Sequence, residues 1–100
     1  MANSWGIPKH IEDAVLERDL CCVYCGKKFG IERANKKSWE HIINDIRITT
    51  LSNIALCCVG CNASKGNKDL ATWFHSENAR KRGVITETIA DVIKVALDSE

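Results

Sequence analysis

Six cysteines stand in this chain of 100 residues, grouped as Cys21, Cys22 and Cys25 in "CCVYC" and Cys57, Cys58 and Cys61 in "CCVGC". A C-x-x-C turn brings two thiolates to one ion. Two such knuckles, Cys22 with Cys25 and Cys58 with Cys61, complete a tetrahedral four-cysteine zinc site. The 32 residues between the pairs exceed the spacing of an ordinary zinc ribbon, so the insert is expected to carry structure of its own. The competing reading is a pair of disulfides, which belong to oxidising compartments. The opening "MANSWGIPKHIED" has neither the basic n-region nor the apolar h-region of a secretory leader. That predicts a reducing, cytoplasmic setting and favours zinc. Cys21 and Cys57 each directly precede a ligand. Neighbours in extended chain point to opposite faces, so both are expected to face the core as small apolar residues. The shifted register, with Cys21 and Cys57 as ligands, has the less suitable C-x-x-x-C spacing, and a catalytic thiol at either position has no supporting neighbour.

Inside the insert, "SWEHIIND" sets Glu40 beside His41, and "NIALCCVGCNASKG" leads from Asn53 through the second knuckle to Asn62 and Lys65. An imidazole titrates near neutrality and can take a proton from water. Carboxylate and amide oxygens are hard donors suited to Mg²⁺ or Mn²⁺, whereas thiolates select zinc. The chain therefore offers two chemically separate metal sites. Phosphodiester hydrolysis asks for this set: an activated water, a cation against developing negative charge, and positioning. Taken singly, a Glu-His pair also suits an exposed sheet edge, and Asn62 could simply bond within its own turn. Their setting favours chemistry: a strand leaving one half of a zinc site, then Asn53, then "CNASKG" completing the other half.

These residues need elements to hold them. Pro8 suits a first helical turn, and Ile7, Ile11, Ala14 and Val15 recur at helical spacing, predicting a helix over about 8–18. "SWEHII" and "NIALCC" read as two short strands joined by the loop "NDIRITTLS". Helix is expected from Val59 to Gly66. "KDLATWFHSENARKRG" reads as one helix over 68–82 capped by Gly83, and a last helix is expected over 87–97, capped by Thr86 or Thr88. Trp5, Trp39 and Trp73 are expected to fill a small core. The sum is a single α+β domain over 1–100, with a short hairpin, one functional helix and peripheral helices.

In that order the motifs "CVYC", "EHII", "NIALCCVGC" and "NASKG" resemble the HNH nuclease family, across residues 22–68. They are similar also to the phage recombination endonuclease VII group, which couples a four-cysteine zinc site to the same hairpin and helix. The resemblance implies a ββα-metal (His-Me finger) fold and a metal-dependent DNA endonuclease leaving 5′-phosphate and 3′-hydroxyl ends. It implies a structural Zn²⁺ on Cys22, Cys25, Cys58 and Cys61, and a catalytic Mg²⁺ or Mn²⁺ on Glu40 and Asn62. His41 would be the general base, and Asn53 the brace of the loop presenting it. Two positions depart from the family pattern: Asn62 stands where many relatives carry His, and Glu40 where Asp is usual.

Net charge is +1, but residues 26–82 carry eleven basic and five acidic side chains between acidic ends. A basic centre fits a polyanion, and it fits a solvated mixed surface equally. Lys65, on the same helical face as Asn62, is the first candidate for a phosphate; Arg47, Lys68 and the Arg80–Arg82 cluster are broader ones. DNA is the expected partner, branched or nicked forms included, and RNA suits the same chemistry. No apolar run is long enough to span a membrane. One base–metal set cuts one strand at a time, so the chain would act as a monomer or a homodimer. The alternative from another class is a zinc-stabilised nucleic-acid-binding or protein-interaction module with a degenerate nuclease site.

Overall fold

Pro8 directs the chain into α1 (Lys9–Arg18), which buries Val15 against the sheet and half-buries Ile11 and Ala14. The computed structural model describes residues 6–99, so Trp5 lies outside the described residues. After α1 the first cysteine knuckle closes through Gly26 N donating to Cys22 O at 3.0 Å. Gly26 has φ +75°, and a Cβ there would stand 3.2 Å from Thr88 O, so both conformation and space call for glycine. A short 3₁₀ turn, Arg33–Asn35, then leads into β1 (Lys37–His41).

β1 pairs antiparallel with β2 (Ile54–Cys58), Glu40 opposite Ala55 and His41 opposite Ile54. All five residues of β2 are buried, because the hairpin is packed on both faces. Ile54 and Leu56 join Ile7 and Val15 on the α1 side, with Trp39 packed against them. Ala55 and Cys57 join the larger cluster with Tyr24, Leu70, Trp73, Val84 and Ile93. The chain passes directly from β2 into α2 (Val59–Lys65), which lies against Ser38 and Glu40. Asp19, 5% exposed, ties α1 to the hairpin: its Oδ2 accepts from Leu56 N at 3.0 Å. Arg18 holds both Asp19 oxygens at 2.7 and 2.8 Å and donates to Ile54 O at 2.8 Å.

Three expectations need correction. The single helix over 68–82 is two, α3 (Leu70–Phe74) and α4 (Glu77–Lys81). Ser76 divides them: its hydroxyl donates to Trp73 O at 2.5 Å and accepts from Ala79 N at 3.2 Å, a cap at the start of α4. The break lets Trp73 and Ala79 both reach the core at 0% exposure. Gly83, φ +78°, does end α4, with Gly83 N bonded to Arg80 O and Val84 N to Ala79 O, a Schellman motif. The last helix, α5 (Asp91–Asp98), begins later than expected and has no side-chain cap. Thr88 is committed elsewhere: its hydroxyl accepts from Ile85 N at 3.0 Å and reaches Tyr24 O at 2.9 Å. Finally, Cys57 is fully buried as expected, but Cys21 is only half-buried, bridged to Lys28 at the rim of the knuckle.

Removing the Asp19 carboxylate strands the buried Leu56 N and takes from Arg18 its ion pair, leaving the guanidinium its bonds to Leu51 O and Ile54 O. Asp19→Ala is therefore expected to lower the unfolding free energy by about 2–3 kcal/mol, read from urea denaturation of the zinc-loaded protein.

Candidate active site and metal centre

Each knuckle contributes a turn in which two cysteines point inward, and β2 delivers the second knuckle at the start of α2. The sulfurs of Cys22, Cys25, Cys58 and Cys61 all lie within 4.8 Å of one another and are buried. Cys25 Sγ and Cys58 Sγ stand 3.9 Å apart. A tetrahedral ion with Zn–S bonds of about 2.3 Å sets its sulfurs about 3.8 Å apart, whereas a disulfide needs about 2.05 Å. All six cysteines are free thiols. The cluster fits Zn²⁺. A hydrogen bond shared by Cys22 and Cys61 holds the Cys22 thiol well below the usual range and pushes the Cys61 thiol up, while burial raises Cys25. At Cys57, outside the cluster, burial with Glu40 nearby pushes the thiol up, which suits an inert core residue and not a nucleophile.

Glu40 and His41 end β1, and both are buried, at 6% and 5% exposure. Glu40 Oε2 accepts from the Tyr24 hydroxyl at 2.5 Å and lies 3.2 Å from Lys65 Nζ. Burial raises the Glu40 carboxyl, and Lys65 and Tyr24 pull it back toward the ionised form. Burial lowers His41, with the Lys65 charge acting in the same direction and Asp45 opposing, so the imidazole is neutral at neutral pH. Asn53 binds the loop that follows: its Oδ1 accepts from Ile43 N at 2.6 Å, and its Nδ2 donates to Ile43 O at 3.2 Å and Ile48 O at 3.0 Å. Asn62 Nδ2 donates to Ser38 Oγ and Trp39 O, both at 3.1 Å, which fixes α2 against β1.

Residues 22–68 match the sequence model of the family described as HNH endonuclease. That stretch is similar to an HNH endonuclease domain. No curated protein and no solved structure gives a significant match to the chain.

Within this stretch the structure brings Glu40, His41 and Lys65 into mutual influence, and sets Asn62 beside β1. It does not bring Arg47 or Lys68 to the same place. Arg47 is exposed and clamps Asp45 at 2.8 and 2.9 Å, while Lys68 is exposed in the bend that follows α2. Lys65 departs from its expected role as a phosphate contact: its ammonium is enclosed at 1% exposure and sits on Glu40. Glu40 Oε1 and Asn62 Oδ1 accept no hydrogen bond from the described residues, and both are hard oxygens. One carboxylate and one amide suit an ion that keeps several waters and takes the rest of its shell from a phosphate.

Three residues of the matched stretch and its flank escape a reading by motif. Tyr24 lies between two zinc ligands yet reaches Glu40. Arg82 donates through Nε to Cys61 Sγ at 3.4 Å and through a terminal nitrogen to Cys58 Sγ at 3.7 Å. Gly60 makes that possible, because a Cβ there would stand 2.6 Å from the Arg82 guanidinium carbon. The signal was present in "CVGC", where the residue before the last ligand has no side chain. Arg82 itself, 21 residues beyond Cys61, had no spacing to betray it.

Charge-assisted bonds to ligand sulfurs offset the negative charge of a four-thiolate centre. Gly60→Ala and Arg82→Ala are each expected to speed zinc release to a chromophoric chelator by about 10-fold. The double variant is expected to release zinc no faster than either alone, since both remove the same contact.

Proposed function

We propose that the chain is a metal-dependent DNA endonuclease, hydrolysing phosphodiester bonds with His41 as general base and a cation held by Glu40 and Asn62. The observation that carries this reading is the joint placement, on one hairpin-and-helix unit, of a neutral imidazole, a buried carboxylate and a backbone-anchored amide. The HNH endonuclease match over the same residues supports it.

His41 takes the proton of the attacking water. Its burial serves that step, because a lowered basicity keeps the ring unprotonated and ready at neutral pH. Asn53 holds Ile43 through both of its polar atoms, so the chain leaving His41 is fixed two residues on. Asn62 uses its amide nitrogen on β1, which leaves its oxygen for the cation. A divalent cation bound by Glu40 and Asn62 supplies charge neutralisation for the phosphate and the leaving oxygen. Exposed Lys68, with Arg80 and Lys81 on α4, offers contacts to the DNA backbone; Arg47 offers less, because Asp45 already neutralises it. The chain as a whole acts as one nuclease domain, its flanking helices packed on the motif core, and cuts with low sequence specificity. The zinc serves the fold and the Mg²⁺ or Mn²⁺ the cleavage. No helix among the described residues is long and apolar enough to cross a membrane.

Plasmid nicking by the zinc-loaded protein tests this. Cleavage is expected with Mg²⁺ or Mn²⁺ and none with a chelator, and His41→Ala is expected to cut at least about 100-fold more slowly while keeping its zinc. Equal rates for the two proteins would remove His41 from the chemistry. No cleavage of plasmid, single-stranded or branched DNA by the unaltered protein would favour a zinc-stabilised binding module.

A further inference from the structure

The two oxygens of Glu40 are not equivalent. Oε2 accepts the Tyr24 hydroxyl at 2.5 Å and forms an ion pair with the Lys65 ammonium at 3.2 Å that lacks hydrogen-bond geometry, while Oε1 accepts no hydrogen bond from the described residues. Both partners of Oε2 are sealed from solvent, Tyr24 at 0% and Lys65 at 1% exposure. They also come from different directions. Tyr24 belongs to the turn between Cys22 and Cys25, and its ring meets Trp73 edge-on with centroids 4.9 Å apart. Trp73 in turn donates its indole N–H to Ser64 Oγ on α2 at 2.9 Å, one residue before Lys65. The first zinc knuckle and α2 thus converge on one carboxylate oxygen.

We infer that Tyr24 and Lys65 are positioning residues for the cation site, reserving Oε2 of Glu40 so that the carboxylate ligates a divalent cation through Oε1 alone. The inference rests on the nuclease reading above and deepens it. It accounts for glutamate at this position. The extra methylene, absent from aspartate, lets the carboxylate reach Tyr24 and Lys65 through Oε2 from its place on β1. It also joins the two metal sites by a single phenol, because the knuckle that carries zinc ligands Cys22 and Cys25 carries Tyr24 between them. Lys65, placed here, offsets the negative charge of the enclosed carboxylate and is not a phosphate contact.

The test uses zinc-loaded protein titrated with Mn²⁺ beside a cleavage-resistant phosphorothioate duplex, free Mn²⁺ being read by electron paramagnetic resonance. Tyr24→Phe keeps the ring and its packing on Trp73 and removes only the hydroxyl. It is expected to weaken Mn²⁺ binding by about 10-fold and to lower kcat on ordinary DNA in parallel, with zinc content and KM unchanged. Glu40→Asp is expected to weaken Mn²⁺ binding as well, although it restores the residue usual in the family. Adding Tyr24→Phe to Glu40→Asp is expected to cost almost nothing more, since the shorter side chain has already lost the phenol. Mn²⁺ affinity at the wild-type level in Tyr24→Phe or in Glu40→Asp, or fully additive losses in the pair, overturns the inference and leaves the nuclease reading intact. A wild-type protein that neither binds Mn²⁺ on the duplex nor cuts DNA overturns both.

Discussion

The four sulfurs of Cys22, Cys25, Cys58 and Cys61 share a space in which all lie within 4.8 Å of one another, and four thiolates hold such a space only around a cation. The remaining structure depends on that approach. A chain of this size buries too little apolar surface to hold many loops by packing alone, so a metal cross-link carries weight that a larger core would carry elsewhere. Drawing Cys25 to Cys58 places the first knuckle against the hairpin and seats Tyr24 in the main core. It also fixes the start of α2, whose first-turn amide, Cys61 N, donates to Cys58 Sγ at 3.4 Å. Position and orientation of the helix that carries Asn62 and Lys65 follow from there.

A polar interior is the cost of this arrangement. Glu12, Asp19, Glu40, His41, Asn53 and Lys65 are all buried in a domain with few aromatic residues to spare. Buried charge destabilises unless its partners are close, and each carboxylate that bears on the hairpin has a cationic partner, although the Lys65 ammonium makes an ion pair and no hydrogen bond. Arg18 answers Asp19, and Lys65 with Tyr24 answers Glu40. The hairpin is consequently enclosed by apolar packing along its length and by ion pairs at its margins, which buries Glu40 and His41 at the end of β1. Preorganised groups of that kind gain in a site of low polarity, where each fixed charge counts for more than it would in water.

Much of this could be read from the chain itself. The knuckles were legible because zinc demands a spacing, and the strands and α2 because β-branched and cysteine-rich runs meet glycine and asparagine at their ends; β1 stops at His41 and not Ile43, where Asn53 turns the chain. What escaped reading depended on competition between distant parts. "KDLATWFHSENARKRG" has the composition of one helix, but Ser76 gains more by capping α4 and letting Trp73 and Ala79 turn inward together. Thr88 has the chemistry of a helix cap, and a carbonyl 64 residues away claims its hydroxyl. Lys65 has the spacing of a phosphate contact, yet a long side chain on a short helix reaches inward as readily as outward, and the buried carboxylate decides the matter. Residue types disclose which chemistry is on hand. They do not disclose which of several partners wins a group.

The reach of Arg82 back to Cys58 and Cys61, and of Thr88 back to Tyr24, has a bearing on how the chain is made. Synthesis delivers the first knuckle, then the hairpin and second knuckle, and only afterwards the segment that covers the sulfurs. A nascent chain released up to α2 has every zinc ligand but neither the guanidinium over them nor the C-terminal strand of contacts that closes on Val23 and Tyr24. The ligands are thus made before the groups that cover them, and an ion bound at that stage would close the long loop between the knuckles and lower the entropy left to lose when the residues after α2 dock.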